Sequence, residues 1–127
     1  MVQQVLPKGF EVLLGVSTDP QFGSVVMVGL GGTLVELLNA VSMRLAPITR
    51  QDALDMIAET PLQKACAGLR GVRYDQEEIV EALLNLSRMV EANPDITEVD
   101  INPLLLYGDG RKATAVDAVV IRKKSHQ

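Results

Sequence analysis

The residues best suited to chemistry lie at the start of the segment DINPLLLYGDG, residues 100–110, where Asp100, Asn102 and Pro103 precede an apolar run. Carboxylate and carboxamide oxygens are the ligands that Mg²⁺ takes when it also binds phosphate. The same residue types also suit a plain turn, because Asn is common before Pro and Asp often accepts a hydrogen bond from a nearby backbone amide. Taken alone, the residue types favour the turn over the metal site.

A hairpin at the end of this segment would bring another carboxylate beside these groups. If Asp109-Gly110 forms the centre of a tight turn, the residue numbers of cross-strand partners add up to 219, and Asn102 faces Asp117. Asp100 then lies on the same face, two residues back along the strand. A bulge at Gly108 would shift this register by one residue. The pattern therefore makes Asp100, Asn102 and Asp117 candidate metal ligands.

Gly31 and Gly32, in the sequence GLGG, are a second candidate site. A glycine-rich loop can cradle phosphate, but the spacing Gly29-x-Gly31-x-x-Leu34 fails the dinucleotide-binding fingerprint, and the chain has no G-x-x-x-x-G-K-[ST] motif. Two aliphatic runs flank the pair, which indicates a β-hairpin with a type I′ turn. The hairpin is the preferred interpretation, and Glu36 in the second run is expected to point outward.

The side chains that usually carry nucleophilic catalysis are poorly placed in this sequence. The single histidine, His126, lies one residue from the end of the chain. Cys66 lies in an apparent helix without a histidine near it, and Ser87 lies within the longest predicted helix, so both are expected to pack in the core. The sequence therefore predicts no catalytic residue.

Length and composition restrict the class of protein. The 127 residues suit one compact domain, whose core must be aliphatic because aromatic residues make up only 3%. The formal net charge of −4 argues against nucleic-acid binding, since such proteins present a face rich in Lys and Arg. No apolar run approaches the ~20 residues that span a bilayer. One cysteine and no signal-peptide pattern favour a reducing, cytoplasmic location.

Strand patterns occur in the first and last thirds of the sequence. Aliphatic and β-branched runs bounded by turn residues predict strands over residues 11–17, on both sides of Gly31-Gly32, over 43–48, up to about residue 107, and from there to Ile121.

Helix signals occupy the middle of the sequence. They predict a helix from an N-cap at Thr49 to Pro61, a short helix at LQKACAG, and a long helix over residues 76–92 behind an N-cap at Asp75. Strands, then helices, then strands joined mainly by hairpins indicate an α+β fold. Its largely antiparallel sheet is expected to pack against the helices.

Several segments, in order along the chain, resemble the ATP-grasp domain of NDP-forming acyl-CoA synthetases. The segments are EVLLGVSTDPQFGSVVMVGLGGTLVELL, MRLAPI, GLRGV, LNLSRMVEANPDITEVDINPLLL and AVDAVVI. That family includes acetate–CoA ligase (ADP-forming) and is related to the β subunit of succinyl-CoA synthetase. The resemblance covers residues from about Glu11 to Ile121, and the order of the segments is more specific than any one of them.

The resemblance implies an activity and a site. In the family, acid, CoA and ATP exchange with acyl-CoA, ADP and phosphate through a phosphohistidine relay, with Mg²⁺ bridging the nucleotide phosphates. Asn102 of DINP and Asp117 of AVDA match the family's metal-binding positions, and Asp100 matches the acidic residue before them. This shifts the interpretation of these three residues from turn to metal site. Gly31 and Gly32 would keep that end of the sheet free of side chains for the ATP or ADP cofactor.

The resemblance also implies partners. Residues 1–127 would form a single domain, the C-terminal lobe of an ATP-grasp domain, with the N-terminal lobe absent and the phosphohistidine in a CoA-binding domain or subunit elsewhere. Such a lobe is expected to fold but to be inactive alone, and its exposed cleft face favours homo-oligomers. The alternative is a non-catalytic binding, assembly or regulatory module that keeps the fold.

Overall fold

The computed structural model describes residues 10–31, 41–68, 73–108 and 111–123. Strands come first, then helices, then strands, which confirms the predicted α+β order. The elements in these ranges are β1 Phe10–Asp19, β2 Gly23–Leu30, β3 Val41–Leu45, α1 Arg50–Ala58, α2 Leu62–Ala67, α3 Gln76–Ala92, β4 Ile96–Leu106, β5 Thr114–Ala115 and β6 Ala118–Arg122.

The strands form one antiparallel sheet in the order β3-β2-β1-β4, and both β5 and β6 pair with the remaining edge of β4. A tight turn joins β1 to β2 and pairs Asp19 with Gly23. The Asp19 carboxylate accepts hydrogen bonds from the amides of Gln21 and Phe22. Gly23 closes the turn at a φ of +96°, a conformation that side chains disfavour.

Helices α1 and α3 pack against one face of this sheet. Side chains of a strand alternate between faces, so every second residue of β1, namely Val12, Leu14 and Val16, is buried beneath the helices. Helix α3 packs on these side chains through an apolar stripe whose residues recur at spacings of three and four: Ile79, Val80, Leu83, Leu86 and Val90. Each fully buried aliphatic side chain stabilises the fold by about 1.5–3 kcal/mol, so this layer dominates its stability.

The helix boundaries follow the predicted capping residues. Thr49 and Asp52 form a reciprocal capping box at the start of α1, with Asp52 Oδ2 accepting from the Thr49 amide at 2.8 Å. Asp75 caps α3 by accepting from the Glu77 amide at 3.0 Å. The side chain of Glu78, in the first turn of α3, accepts from the amide of Ala113, the residue before β5, at 2.6 Å.

The predicted two-residue hairpin at Gly31-Gly32 is wrong. Such a turn would pair Leu30 with Thr33, but the edge of β2 that would accept those residues pairs instead with β3, in a register that joins Gly29 to Val41. Gly31 continues the ladder with β1 by donating its amide hydrogen to the Glu11 carbonyl at 3.0 Å. Residues 32–40, including Gly32 and Glu36, lie outside the described residues.

The predicted last strand is interrupted. Residues on either side of Val116 and Asp117 form the separate strands β5 and β6. The register predicted from the turn is nevertheless confirmed, because Leu104 pairs with Ala115 and Ile101 pairs with Ala118, each adding up to 219.

Cys66 packs in the core, as predicted. Its burial raises the pKa of the thiol to about 11, and the nearby Asp75 carboxylate acts in the same direction. The thiol is therefore protonated at neutral pH, which argues against a nucleophilic role. The reducing compartment inferred from the single cysteine stays a prediction. Among the described helices, none has both the length and the apolar character needed to cross a bilayer.

Ser87 packs in the core, as predicted, and also accepts a hydrogen bond there. It is buried in α3, and its hydroxyl accepts the Ile48 amide at 3.1 Å, which ties the segment after β3 to this helix. We expect Ser87→Ala to lower the free energy of unfolding by about 1–3 kcal/mol, because a buried amide loses its acceptor. Urea denaturation of the chain measures this change. The matched variant Ser17→Ala, at an exposed serine of β1, should stay within about 0.5 kcal/mol of the parent.

The place of Gly31 beside Glu11 leaves no room for a side chain. A Cβ atom there would lie 2.9 Å from the Glu11 Cβ and 3.1 Å from its carbonyl carbon and oxygen. Gly31→Ala should therefore destabilise the chain by about 1–3 kcal/mol in the same urea experiment. Gly68→Ala is the control, since a methyl group at that residue would have no atom within 4 Å. Equal stability of the two variants would contradict the packing role of Gly31.

Candidate functional site

The face of the sheet opposite the helices carries the predicted site. Residues paired directly across strands share a face, so the register places Met43, Met27, Gly15, Asp100 and Val119 in one row across β3, β2, β1, β4 and β6. We call the surface that contains this row the open face. In the described part of the chain no helix packs against it, and Met43 is 58% exposed there.

The backbone brings Asn102 and Asp117 opposite each other. The Asn102 amide donates to the Asp117 carbonyl at 3.1 Å, and the Val116 amide donates to the Pro103 carbonyl at 3.0 Å. These two bonds bridge the gap between β5 and β6. The pairing predicted from the turn is therefore present, and it sets a carboxamide and a carboxylate side by side at the interruption of the last strand.

An irregularity in β4 occurs at the same place. On the β1 side, Val12 pairs with Leu104 but Leu14 pairs with Ile101, so two residues of β4 stand opposite the single residue Leu13. The extra residue forms a bulge that includes Asn102. Bulges change the direction of a side chain relative to the regular pleat, and they often occur beside functional sites.

Asp100, Asn102 and Asp117 are exposed, and none of their side chains makes a hydrogen bond or ion pair within the part of the chain that the structure describes. Their oxygen atoms therefore remain available as ligands for a hard cation such as Mg²⁺, which usually keeps several waters when it binds to few protein groups. Two carboxylates and one carboxamide fit that ion chemically. The described residues contain no group of three or more His, Cys, Asp or Glu that would hold a metal without other ligands.

Gly15 contributes a feature that sequence reasoning missed. Because it lacks a side chain, the open face forms a shallow depression of about 250 Å³ between the Met27 and Asp100 side chains. A Cβ atom at Gly15 would meet the Val99 carbonyl oxygen at 3.2 Å and the Met27 methyl at 3.3 Å. A glycine inside the aliphatic run EVLLGVS was the available signal, since glycine within a strand often marks close approach of a ligand or backbone.

The structure describes only one of the two glycines, Gly31 and Gly32, that the sequence predicts to lie beside a cofactor. Gly31 has a structural reason to be glycine in its contact with Glu11, and its cofactor role stays a prediction. Gly32 lies outside the described residues.

Comparison with known proteins identifies the family. The ATP-grasp domain family matches residues 1–121. The chain is 43% identical over 122 residues to the β subunit of acetate–CoA ligase [ADP-forming] I from Pyrococcus furiosus, covering 95% of this chain and 52% of that protein. It is 36% identical to a 4-hydroxybutyrate–CoA ligase [ADP-forming] from Nitrosopumilus maritimus, covering 92% of this chain and 17% of that protein.

A solved structure agrees with these sequence matches. A dinucleotide forming acetyl-coenzyme A synthetase of Ca. Korarchaeum cryptofilum, in complex with coenzyme A and Mg-AMPPCP, superposes with a TM-score of 0.83. The identity is 42%, covering 93% of this chain and 55% of that one. The chain thus spans about half the length of the P. furiosus subunit it matches. Because the family model matches residues 1–121 and a solved structure shares the α+β fold, the chain belongs to the ATP-grasp domain family.

Proposed function

We propose that this chain supplies the Mg²⁺- and phosphate-binding lobe of an NDP-forming acyl-CoA synthetase, which converts acid, CoA and ATP into acyl-CoA, ADP and phosphate. The observation that carries the proposal is the pairing of Asn102 with Asp117 across β4 and the β5–β6 gap. Relatives named as ADP-forming CoA ligases support the reaction class. A related synthetase in complex with Mg-AMPPCP supports the cofactors Mg²⁺ and ATP or ADP.

In this proposal the described residues bind and orient, and they do not react. Asn102 and Asp117 would hold the cation, and Asp100, two residues before Asn102, would supply a further oxygen ligand. Bound Mg²⁺ offsets the repulsion between phosphates and helps align the γ-phosphoryl group for in-line transfer. The two backbone hydrogen bonds at this point keep the ligands in register before nucleotide arrives, so little ordering is needed on binding.

The depression beside Gly15 suits the base and ribose of a nucleotide whose phosphates bind at the metal site. Met27 and Met43 line one side of it, and Asp100 and Val119 line the other. Asp100 and Val119 lie two residues along the chain from Asn102 and Asp117, which is roughly 7 Å at the rise of a β-strand. An apolar, polarisable surface of methionines can cover a flat base or ribose while the phosphates extend toward Asn102.

We further propose that residues 1–127 form a single domain, the second lobe of the ATP-grasp fold. The first lobe would cover the open face, and the phosphohistidine would come from a CoA-binding domain or subunit. The length of the relatives, about twice that of this chain for the P. furiosus subunit, supports the need for further segments. Because half of the nucleotide's contacts would be missing, the chain alone should bind nucleotide weakly and show no turnover.

The double variant Asn102→Ala/Asp117→Ala tests the metal site. In the parent chain, Mn²⁺ used as a paramagnetic substitute for Mg²⁺ should broaden the amide signals of β4, β5 and β6 around residues 100–102 and 117–119. Calorimetry should show ADP binding that depends on Mg²⁺. Removing both ligands should abolish the local broadening and weaken Mg²⁺-dependent ADP binding at least about tenfold, equivalent to 1.4 kcal/mol.

The matched control is Asn85→Ala/Asp55→Ala, which removes the same two residue types from α3 and α1. Both are exposed and lie in the helical layer on the other side of the sheet. This control should bind Mn²⁺ and ADP like the parent. Broadening that survives in the Asn102/Asp117 variant, or that centres on the acidic residues of α3, would refute the site. A chain that binds neither ligand would favour the non-catalytic module.

A further inference from the structure

Strand β6 is exposed on both of its faces. Val119 and Ile121 pair with Asp100 and Glu98 and lie on the open face, where they are 49% and 45% exposed. Val120 pairs with Val99 and points to the helical side, yet it is 47% exposed, and the described helices make at most slight contact with β6. An apolar strand that is open above and below is unusual at the rim of a sheet.

The outer edge of β6 is also unpaired as far as the described residues extend. Within the described ranges β6 pairs only with β4, and no strand occupies its other edge. Edge strands are commonly protected by Lys, Pro or a bulge, which discourage further pairing. The stretch Ala118–Ile121 has none of these, and charged residues occur only at its two ends, Asp117 before it and Arg122 and Lys123 after it.

The backbone groups that point outward can be identified. The Asp117 carbonyl accepts from Asn102, the Ile121 carbonyl accepts from the Thr97 hydroxyl, and the Lys123 amide donates to the Asp95 carbonyl. These odd-numbered residues therefore direct their polar groups toward β4. Because neighbouring residues of a strand direct theirs to opposite edges, Ala118, Val120 and Arg122 present amide and carbonyl groups to the free edge.

We propose that β6 pairs antiparallel with β6 of a second copy of this chain, about a two-fold axis at Val120. The sheets of the two copies then join into one continuous sheet. Val120 stands opposite Val120 of the copy, and Ala118 stands opposite Arg122. All of these residues present outward polar groups, so the junction forms about six backbone hydrogen bonds, two from each of three residue pairs.

The charges at the ends of the strand favour this register. With the axis at Val120, Asp117 of each copy stands opposite Lys123 of the other, and Val119 stands opposite Ile121 on the open face. A two-fold axis one residue earlier, at Val119, sets Asp117 against the apolar Ile121. An axis one residue later, at Ile121, sets Lys123 against Val119. Only the central register matches opposite charges and overlaps the whole strand.

This self-complementarity identifies a second copy as the occupant, because a two-fold interface must match its own sequence read backwards. Two five-residue strands bury less than the ~1,000 Å² typical of a stable interface, so the dimer is expected to be weak and to depend on concentration. The backbone pairing uses only the edge of the sheet, whereas the Asp117 carboxylate that favours this register is also one of the proposed metal ligands.

Sedimentation of the chain over a range of concentrations tests the pairing. The parent should rise from its monomer mass of 13.7 kDa toward twice that value as concentration increases. Val120→Lys sets two like charges opposite each other at the axis and should hold the chain at monomer mass. The control is Leu45→Lys, which introduces a lysine at another exposed aliphatic residue, on β3 at the opposite end of the described sheet, and it should dimerise like the parent.

A cysteine at the axis gives a second readout that does not rely on destabilisation. Val120→Cys should be joined into a covalent dimer by a short bifunctional thiol reagent, whereas Leu45→Cys should not. The native Cys66 is buried and protonated, so it does not compete. A parent chain that stays monomeric at all concentrations would overturn the proposal. So would a dimer that Leu45→Lys disrupts and Val120→Lys does not, since β3 would then be the interface.

Discussion

The pairing of β4 along both of its edges is the constraint on which the rest of this structure depends. On one edge β4 joins β1 and completes the layer that packs on α1 and α3. On the other edge it holds β5 and β6, and the hydrogen bond from Asn102 to the Asp117 carbonyl bridges the gap between them. The same strand therefore aligns the core residues on one face and the candidate ligands on the other. A shift of the β4 pairing by one residue would move its side chains to the opposite faces, and both the core packing and the alignment of the candidate ligands would be lost.

The one-sided packing of the sheet explains where function can reside. Aliphatic side chains beneath the helices provide the stability, which leaves the open face free of any packing requirement. Its composition reflects that freedom: the exposed Met43, the half-buried Met27, a glycine that creates a depression, and carboxylates without a partner among the described residues share the same surface. Such a surface suits contact with a ligand or another lobe, because removing its exposed apolar groups from water lowers the free energy.

Local sequence signals predicted the features that depend on a few neighbouring residues. The Thr49–Asp52 capping box and the Asp75 cap were predictable because they depend on neighbouring residues alone. A side-chain oxygen accepts a hydrogen bond from a first-turn amide, at most three residues away, that has no partner within the helix. The register in which paired residue numbers add up to 219 was predictable from the spacing of the two strands along the sequence, although residues 109–110 lie outside the described residues and the pair nearest the connection is Leu105 with Thr114. The Gly31-Gly32 turn was wrong because β3 returns to β2 after a longer connection, and that competing pairing is not visible in the glycines themselves.

The sequence by itself determined the α+β class, the helix ends, the aliphatic core and, through several segments in order along the chain, the family to which the chain belongs. Tertiary structure decided that Gly15 lies between Met27 and Asp100. It also decided which face of the sheet the described helices leave uncovered, and that the apolar strand β6 forms an edge of the sheet within the described residues. The reason is physical: caps and turns are satisfied by residues close in sequence. Faces and edges are defined only when strands far apart in the chain come together and the helices cover one side.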